Sequence, residues 1–220
     1  GLLALAVGWD ATGLDLAVMH VFADGQGFPL RSHPLFEHWL HDQVRNLGWV
    51  VFLMLLVTTF TPRGPLLGLE RARRVEAMIG VVLCLLVVNQ LKRMSLTSCP
   101  WDLAEFGGVA RYVSHWAFGA SDGGGGHCFP GGHSSAALGF LPLAMPWLLA
   151  AETDRRRVGT WLALLIIGLG IALGAVQTVR GAHYPSHTLW TVVLCWLLAV
   201  ANHLAFRAVR QRRAVLPASA

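Results

Sequence analysis

Three short stretches of the chain hold residue types that could do chemistry. Arg180-Gly181-Ala182-His183-Tyr184-Pro185-Ser186-His187 sets an arginine and two histidines between two long apolar runs, residues 158–179 and 188–206. His127-Cys128-Phe129-Pro130-Gly131-Gly132-His133-Ser134 precedes another apolar run, and Lys92-Arg93 through Cys99-Pro100-Trp101-Asp102 follows one. Ionisable groups at the mouth of apolar segments are costly unless they face a polar cavity, so they are read as functional by default. Together the stretches offer what phosphoryl transfer requires: donors around the phosphate oxygens, a nucleophile, and an acid for the leaving oxygen. Lys92, Arg93 and Arg180 are fixed cations. Gly131 and Gly132, just before a helix, can turn backbone N–H groups towards an anion, and Ser134 adds a hydroxyl. His133 and His183 can between them supply a nucleophile and a general acid, because imidazole titrates near neutrality. His183 and His187 are four residues apart and share a face if the helix already begins there.

Each stretch also has a plainer reading. Lys92 and Arg93, at the end of an apolar span, could be snorkelling anchors. Pro130-Gly131-Gly132 could be no more than a turn before a helix. His183 and His187, with His127 or His133, could bind zinc through their imidazoles, although no cysteine pair or glutamate-bearing histidine motif lies beside them. What favours catalysis is that all three stretches fall on one face of the same architecture.

That architecture follows from composition. The chain is 55% hydrophobic and only 13% charged, about half the charged share of a soluble domain. Its apolar residues cluster in long runs, so it reads as an all-α, polytopic membrane helix bundle of about six spans, in one integral-membrane domain over residues 1–220. Residues 1–46 hold a partial first helix, truncated here, and an outer interfacial segment. Residues 34–46 are expected to form an amphipathic helix whose His33, His38 and His41 are a solvated face rather than metal ligands. Residues 47–206 form the helical core, with spans at 47–60, 75–91, 135–151, 158–179 and 188–206, and residues 207–220 a cytoplasmic tail. The long loop 95–134 contains Gly123 to Gly126, read as a flexible tract.

The basic residues orient the bundle. Of the 17 Lys and Arg, 11 fall in one set of loops (Arg63, Arg71, Arg73, Arg74, Arg155, Arg156, Arg157, Arg207, Arg210, Arg212, Arg213) and 6 in the other. The positive-inside rule puts the richer set in the cytoplasm. The net charge of +5 is therefore a topology signal, and no nucleic-acid partner is expected. The three chemical stretches then share the opposite face. This predicts a bacterial inner-membrane protein, multi-pass, with its site towards the periplasm. Cys99 and Cys128 both lie in that outer loop, where an oxidising environment would let a disulfide persist. The bond would close a loop of about 30 residues, for roughly 3 to 4 kcal/mol on the chain-entropy estimate.

The same residues resemble a known family, the type 2 phosphatidic acid phosphatases, which are related to vanadium haloperoxidases. Lys92, six residues, then Cys99-Pro100 is similar to that family's Lys, six residues, Arg-Pro. Pro130-Gly131-Gly132-His133 is similar to Pro-Ser-Gly-His, and His183-Tyr184-Pro185-Ser186-His187 to the end of Ser-Arg, five residues, His, three residues, Asp. The resemblance implies a six-helix bundle in which His183 is the nucleophile, His133 protonates the leaving group, and Lys92, the Gly131 and Gly132 amides and an arginine hold the phosphate. It implies no metal or other cofactor. Cys99, Gly131, Gln177 and His187 depart from the motifs. Arg180, one helical turn after Gln177, could reach the same phosphate. Neutral His187 can accept a hydrogen bond from His183 but lacks the carboxylate's charge, for which Asp102 and Glu105 are the candidates. The expected activity is hydrolysis of a lipid phosphomonoester or pyrophosphate through a phosphohistidine. A lipid phosphotransferase, a non-catalytic lipid-binding or scaffold descendant and, more remotely, a transporter remain open.

Overall fold

The computed structural model describes residues 1–37 and 43–215. Its regular elements are all helical. They are α1 (Leu2–Thr12), α2 (Leu14–Phe22), α3 (Val44–Phe60), α4 (Arg71–Met94), α5 (Ser135–Leu138), α6 (Met145–Leu148), α7 (Thr153–Val179) and α8 (Pro185–Val215), with short 3-10 turns between them.

Helices α4, α7 and α8 are long and apolar enough to cross a membrane. On α7, Trp161, Leu164, Leu165 and Leu169 are exposed at helical spacing, while Ala163, Ile166 and Gly170 of the other face are buried. Such an inverted surface suits lipid contact on one side and helix contact on the other. The core lies where α4, α7 and α8 meet the segment after the long loop. Val81, Cys84 and Val88 of α4, Ile166 of α7, and Val192, Cys195 and Ala199 of α8 surround Leu138, Leu141 and Met145.

The sequence predicts one continuous span over residues 135–151. The structure breaks it into α5, a 3-10 turn at Leu141–Leu143 and α6. Pro142 and Pro146 each remove an intrahelical donor, which accounts for the breaks. The segment still runs the length of α4. Gly132 lies beside Lys92, Gly139 beside Leu85 and Pro142 beside Gly80, a descent of twelve residues or about 18 Å along α4. Leu148 then meets Gly159 near the start of α7. Non-helical backbone is tolerated at this depth because α4, α7 and α8 enclose it.

Helices α1 and α2 form a broken pair bent by 76° at Gly13, and α3 is a shorter apolar helix. Counted by length and composition, the described residues hold three spans, or four with the bent pair, against the six expected. The interfacial helix predicted over 34–46 falls in part, with His38 and His41, on residues outside those described.

The helix directions set the two ends of the bundle. Arg71, Arg73 and Arg74 open α4, Arg155 to Arg157 open α7, and Arg207 and Arg210 lie late in α8. Lys92 closes α4, Arg180 follows α7 and His187 opens α8, all at the opposite end. The loop 95–126 at that end is well tied down, contrary to the expected flexible tract. The Asp122 carboxylate accepts hydrogen bonds from the Ser98 N–H, the Ser98 hydroxyl (3.0 Å) and the Gly124 N–H (2.9 Å). Glycine is needed there, since a Cβ at 124 would fall 2.3 Å from Ser98 Oγ.

Candidate active site

The site is assembled on the turn between α7 and α8. Helix α7 ends at Val179, and Gly181 takes a left-handed φ of 76° with Phe28 packed where a Cβ would stand. The Ala182 and His183 N–H groups both donate to the Gln177 carbonyl, at 2.8 and 3.3 Å, so the strand of chain folds back before α8 starts at Pro185. Pro at the first helical position needs no acceptor for a missing N–H. The first turn of α8 is then capped from another element. Asp15 of α2 is buried and accepts hydrogen bonds from the Ser186 N–H (3.1 Å) and hydroxyl, and from Trp9 Nε1 (2.8 Å).

This arrangement buries His183 and His187 and brings their Nδ1 atoms to 3.4 Å. One ring donates and the other accepts, with the tautomers undetermined. Burial holds His183 well below the ordinary imidazole range, and the charges of Lys92, His187 and His133 push in the same direction. No carboxylate among the described residues offsets them. His183 is therefore neutral at physiological pH, the form that can act as a nucleophile.

The second stretch docks on the same turn. The Gly131 N–H donates to Thr191 Oγ1 (3.0 Å) and the His187 carbonyl (3.3 Å), and the Ser134 hydroxyl donates to the Gly131 carbonyl (2.8 Å). The expectation that Gly131 and Ser134 turn donors to a phosphate thus gives way to a structural role, since both are used in holding the turn against α8. A serine at 131 would bring its Cβ to 2.7 Å from Ser134 Oγ, which is why the chain has glycine. Gly132 is half-buried and faces Lys92, whose Nζ lies 2.9 Å from where a Cβ would project. His133 is half-buried and close enough to act on His183.

The third stretch contributes Lys92 but not its neighbour. Arg93 is exposed, as expected for a residue about 100° further round the helix. Cys99 and Cys128 form a disulfide with Cα atoms 5.1 Å apart, joining the third stretch to the second. Cys128 Sγ also lies 3.4 Å from His183 Nδ1. Cys99, Cys128 and His183 bring ligand atoms within 4.8 Å of one another, but the two sulfurs are bonded to each other and offer no pair of thiolates.

Arg180 is buried beside Gln177, donating to its Oε1 at 3.2 Å and to the Arg31 carbonyl at 2.9 Å, with Glu37 at 3.7 Å. Its guanidinium is thus engaged by protein groups beside Gln177. Neither Asp102 nor Glu105 supplies a carboxylate to the histidines. Asp102 accepts from Trp101 Nε1 (3.1 Å), and Glu105 pairs with exposed His20 at 2.8 Å.

Three residues behind the site escaped the sequence reading. Asp10 accepts from Trp116 Nε1 (2.8 Å) and Trp190 Nε1 (2.7 Å) and lies 3.4 Å from His115. His115 stacks on Phe129 and sets its ring edge-on to His187. Asp15 caps α8. The available signal was two aspartates, Asp10 and Asp15, in an otherwise apolar N-terminal stretch, the kind of group that is kept at membrane depth only with a partner.

No curated protein and no solved structure matches the chain. The family model of the PAP2 superfamily matches residues 74–212, which spans α4 to α8 and takes in Lys92, His133, His183 and His187. A match over well over half of the chain, carrying the clustered residues in their expected order, makes this protein a member of the PAP2 superfamily.

Proposed function

We propose that the chain is a membrane lipid phosphatase that hydrolyses a phosphomonoester or pyrophosphate through a phosphohistidine at His183, with the site on the periplasmic face of a bacterial inner membrane. The observation that carries this reading is electrostatic. Lys92, His133, His183 and His187 converge with no carboxylate acting on His183 among the described residues. A lysine and imidazole donors gathered in this way favour an anion, and a phosphate has the charge and the acceptors.

In this mechanism His183 Nδ1 is held by His187, leaving Nε2 to attack phosphorus. The bond from phosphorus to the leaving oxygen breaks as the one to Nε2 forms, and His133 gives that oxygen a proton. Water then attacks the phosphohistidine, losing a proton to His133 and restoring free His183. Lys92 and the Gly132 N–H steady the phosphate oxygens, and Arg180 adds a cation on the same turn. A lipid tail has somewhere to go. An apolar groove of about 550 Å³ between α3, α5 and α7 starts at Ala136 and Ala137, one turn after His133.

The test is phosphate release by detergent-purified protein from a panel of lipid phosphomonoesters and pyrophosphates, with and without a chelator. His133→Ala should slow lipid substrates by about 10²- to 10⁴-fold, the usual contribution of a general acid. It should slow an aryl phosphate with a good leaving group far less. Equal losses on both would remove His133 from the acid role. Transfer of phosphate to an added alcohol in preference to water would make the enzyme a phosphotransferase, and loss of activity on chelation, restored by zinc, would favour a metal site.

A further inference from the structure

Far from His183, at the opposite end of α8, lies a second concentration of charge. Glu76 of α4 is almost fully buried. Its carboxylate meets His203 Nδ1 at 2.6 Å and Arg210 of α8, with Arg73 at 3.7 Å, and Asn202 donates to its main-chain carbonyl at 2.9 Å. Beside this knot a cavity of about 580 Å³ opens between α4, α6 and α8. Arg73, Arg207 and Arg210 line its polar side, and Leu148, Leu149 and Leu204 its apolar side. Arg207 is exposed, and no carboxylate pairs with it among the described residues.

We infer that this cavity binds the headgroup of an anionic glycerophospholipid, a site separate from the phosphatase centre. The charge sets the ligand class. Glu76 meets two guanidiniums, Arg73 and Arg210, and Arg207 adds a third to the cavity lining, so the pocket keeps a positive excess after Glu76 is satisfied. Glu76 also holds Arg210 and Arg73 in place, so less side-chain freedom is lost when an anion arrives. The shape sets the lipid. Leu149 and Leu204 are each more than half exposed on the outer surface of the bundle, so the apolar wall continues into the face where acyl chains would lie. A phosphodiester with two tails fits a basic pocket at one level and an apolar wall at the next, as basic pockets between membrane helices do elsewhere. His187 and Arg207 are twenty residues apart on α8, about 30 Å, so the two sites do not overlap.

The test uses the full chain, delipidated in detergent, with dioleoylphosphatidylglycerol and dioleoylphosphatidylcholine as probes and native mass spectrometry as the readout. Phosphatidylglycerol is a phosphodiester and is not a phosphomonoester substrate. It should be retained at one copy per chain, in clear preference to phosphatidylcholine. Arg207→Gln, at an exposed position, should weaken its retention about fivefold, from the loss of one cation near the headgroup, and Arg73→Gln with Arg207→Gln further. Phosphate release at the His183 end should be unchanged in Arg207→Gln. Equal retention of the two lipids, or undiminished phosphatidylglycerol binding in the double variant, would overturn the proposal, the latter by placing the lipid elsewhere on the chain.

Discussion

At one end of the bundle Glu76 is buried among His203, Arg210 and Arg73; at the other, His183 is buried with Lys92, His187 and His133 acting on it and no carboxylate among the described residues doing so. Both ends put ionisable groups among apolar helices, which is expensive. They differ in whether the chain supplies the counter-charge. At the Glu76 end the chain itself supplies the counter-charges of the buried carboxylate, so its loss should register as stability. At the His183 end no carboxylate among the described residues acts on the buried imidazole, and its loss should register as turnover.

The sharpest way to break this comparison is a pair of variants. His183→Ala should lower phosphate release by at least about a thousandfold, in line with removal of a nucleophile, and should abolish any acid-labile phosphoenzyme. Its melting temperature should hold or rise, since it removes a buried polar ring. Glu76→Gln should do the reverse. Removing one partner of a buried ion pair costs about 3–5 kcal/mol, and the lower figure applies here because Arg73 and Arg210 are partly exposed and can turn to water. The melting temperature should drop while the turnover of protein still folded stays close to wild type. If Glu76→Gln abolishes turnover at unchanged stability, the two ends are not independent in the way their charges suggest.

How legible each end was in the sequence follows from the same difference. Lys92, His133, His183 and His187 stand at the edges of apolar runs and in family-like spacing, so they could be picked out without a structure. Their setting could not. Gly131 looked like an anion-binding amide, but its N–H is directed to Thr191, sixty residues later, a pairing no local pattern encodes. The long spans could be read because length and hydropathy are local. Residues 135–151 were read as another such span because their apolar content hides the effect of Pro142 and Pro146, which matters only once enclosing helices fix the path. The Glu76 knot was invisible for a similar reason, as its partners lie 127 and 134 residues away. Asp10 and Asp15 stand out in an apolar stretch, but their place could not be read, because a bend of 76° at Gly13 is not encoded in composition.

The two ends are also held by different kinds of bond. The Glu76 end depends on ions, whereas the His183 end is tied by Cys99–Cys128, which joins residues 29 apart in sequence. Closing a loop of that size gives about 3–4 kcal/mol as an upper-end estimate. Reductant should lower the melting temperature of the wild-type protein and leave a Cys99→Ser, Cys128→Ser double variant unmoved. Phosphate release should fall with the reduced form, because Cys128 lies against His183 and its loop carries the Gly131 turn. Alkylatable thiols at both positions in unreduced protein from an oxidising compartment would remove the bond from this account.

The smallest expected effect is the most specific to the His183 end. In the unfolded chain His183 takes up a proton below about pH 6.5; in the folded chain burial, and then the charges of Lys92, His187 and His133, delay that to lower pH. Between the two values the unfolded chain binds more protons. The contribution of His183 to stability is thus complete above about pH 6.5 and is lost as the pH falls towards the folded value. Activity follows the same group. The acid limb of kcat/KM, which reports the free enzyme, should lie below the ordinary imidazole value, because His183 stays neutral there. Lys92→Met removes one of the charges that oppose protonation, so the limb should move to higher pH, whatever happens to the absolute rate through weaker phosphate binding. The move should be partial, because burial is the largest cause and remains. Histidine titration by NMR in the same variant separates the two effects of Lys92, since it reads His183 without substrate. A limb and a titration that both stay in place would mean that Lys92 does not act on His183 through its charge, and the electrostatic argument for an anion at this end would lose its nearest cation.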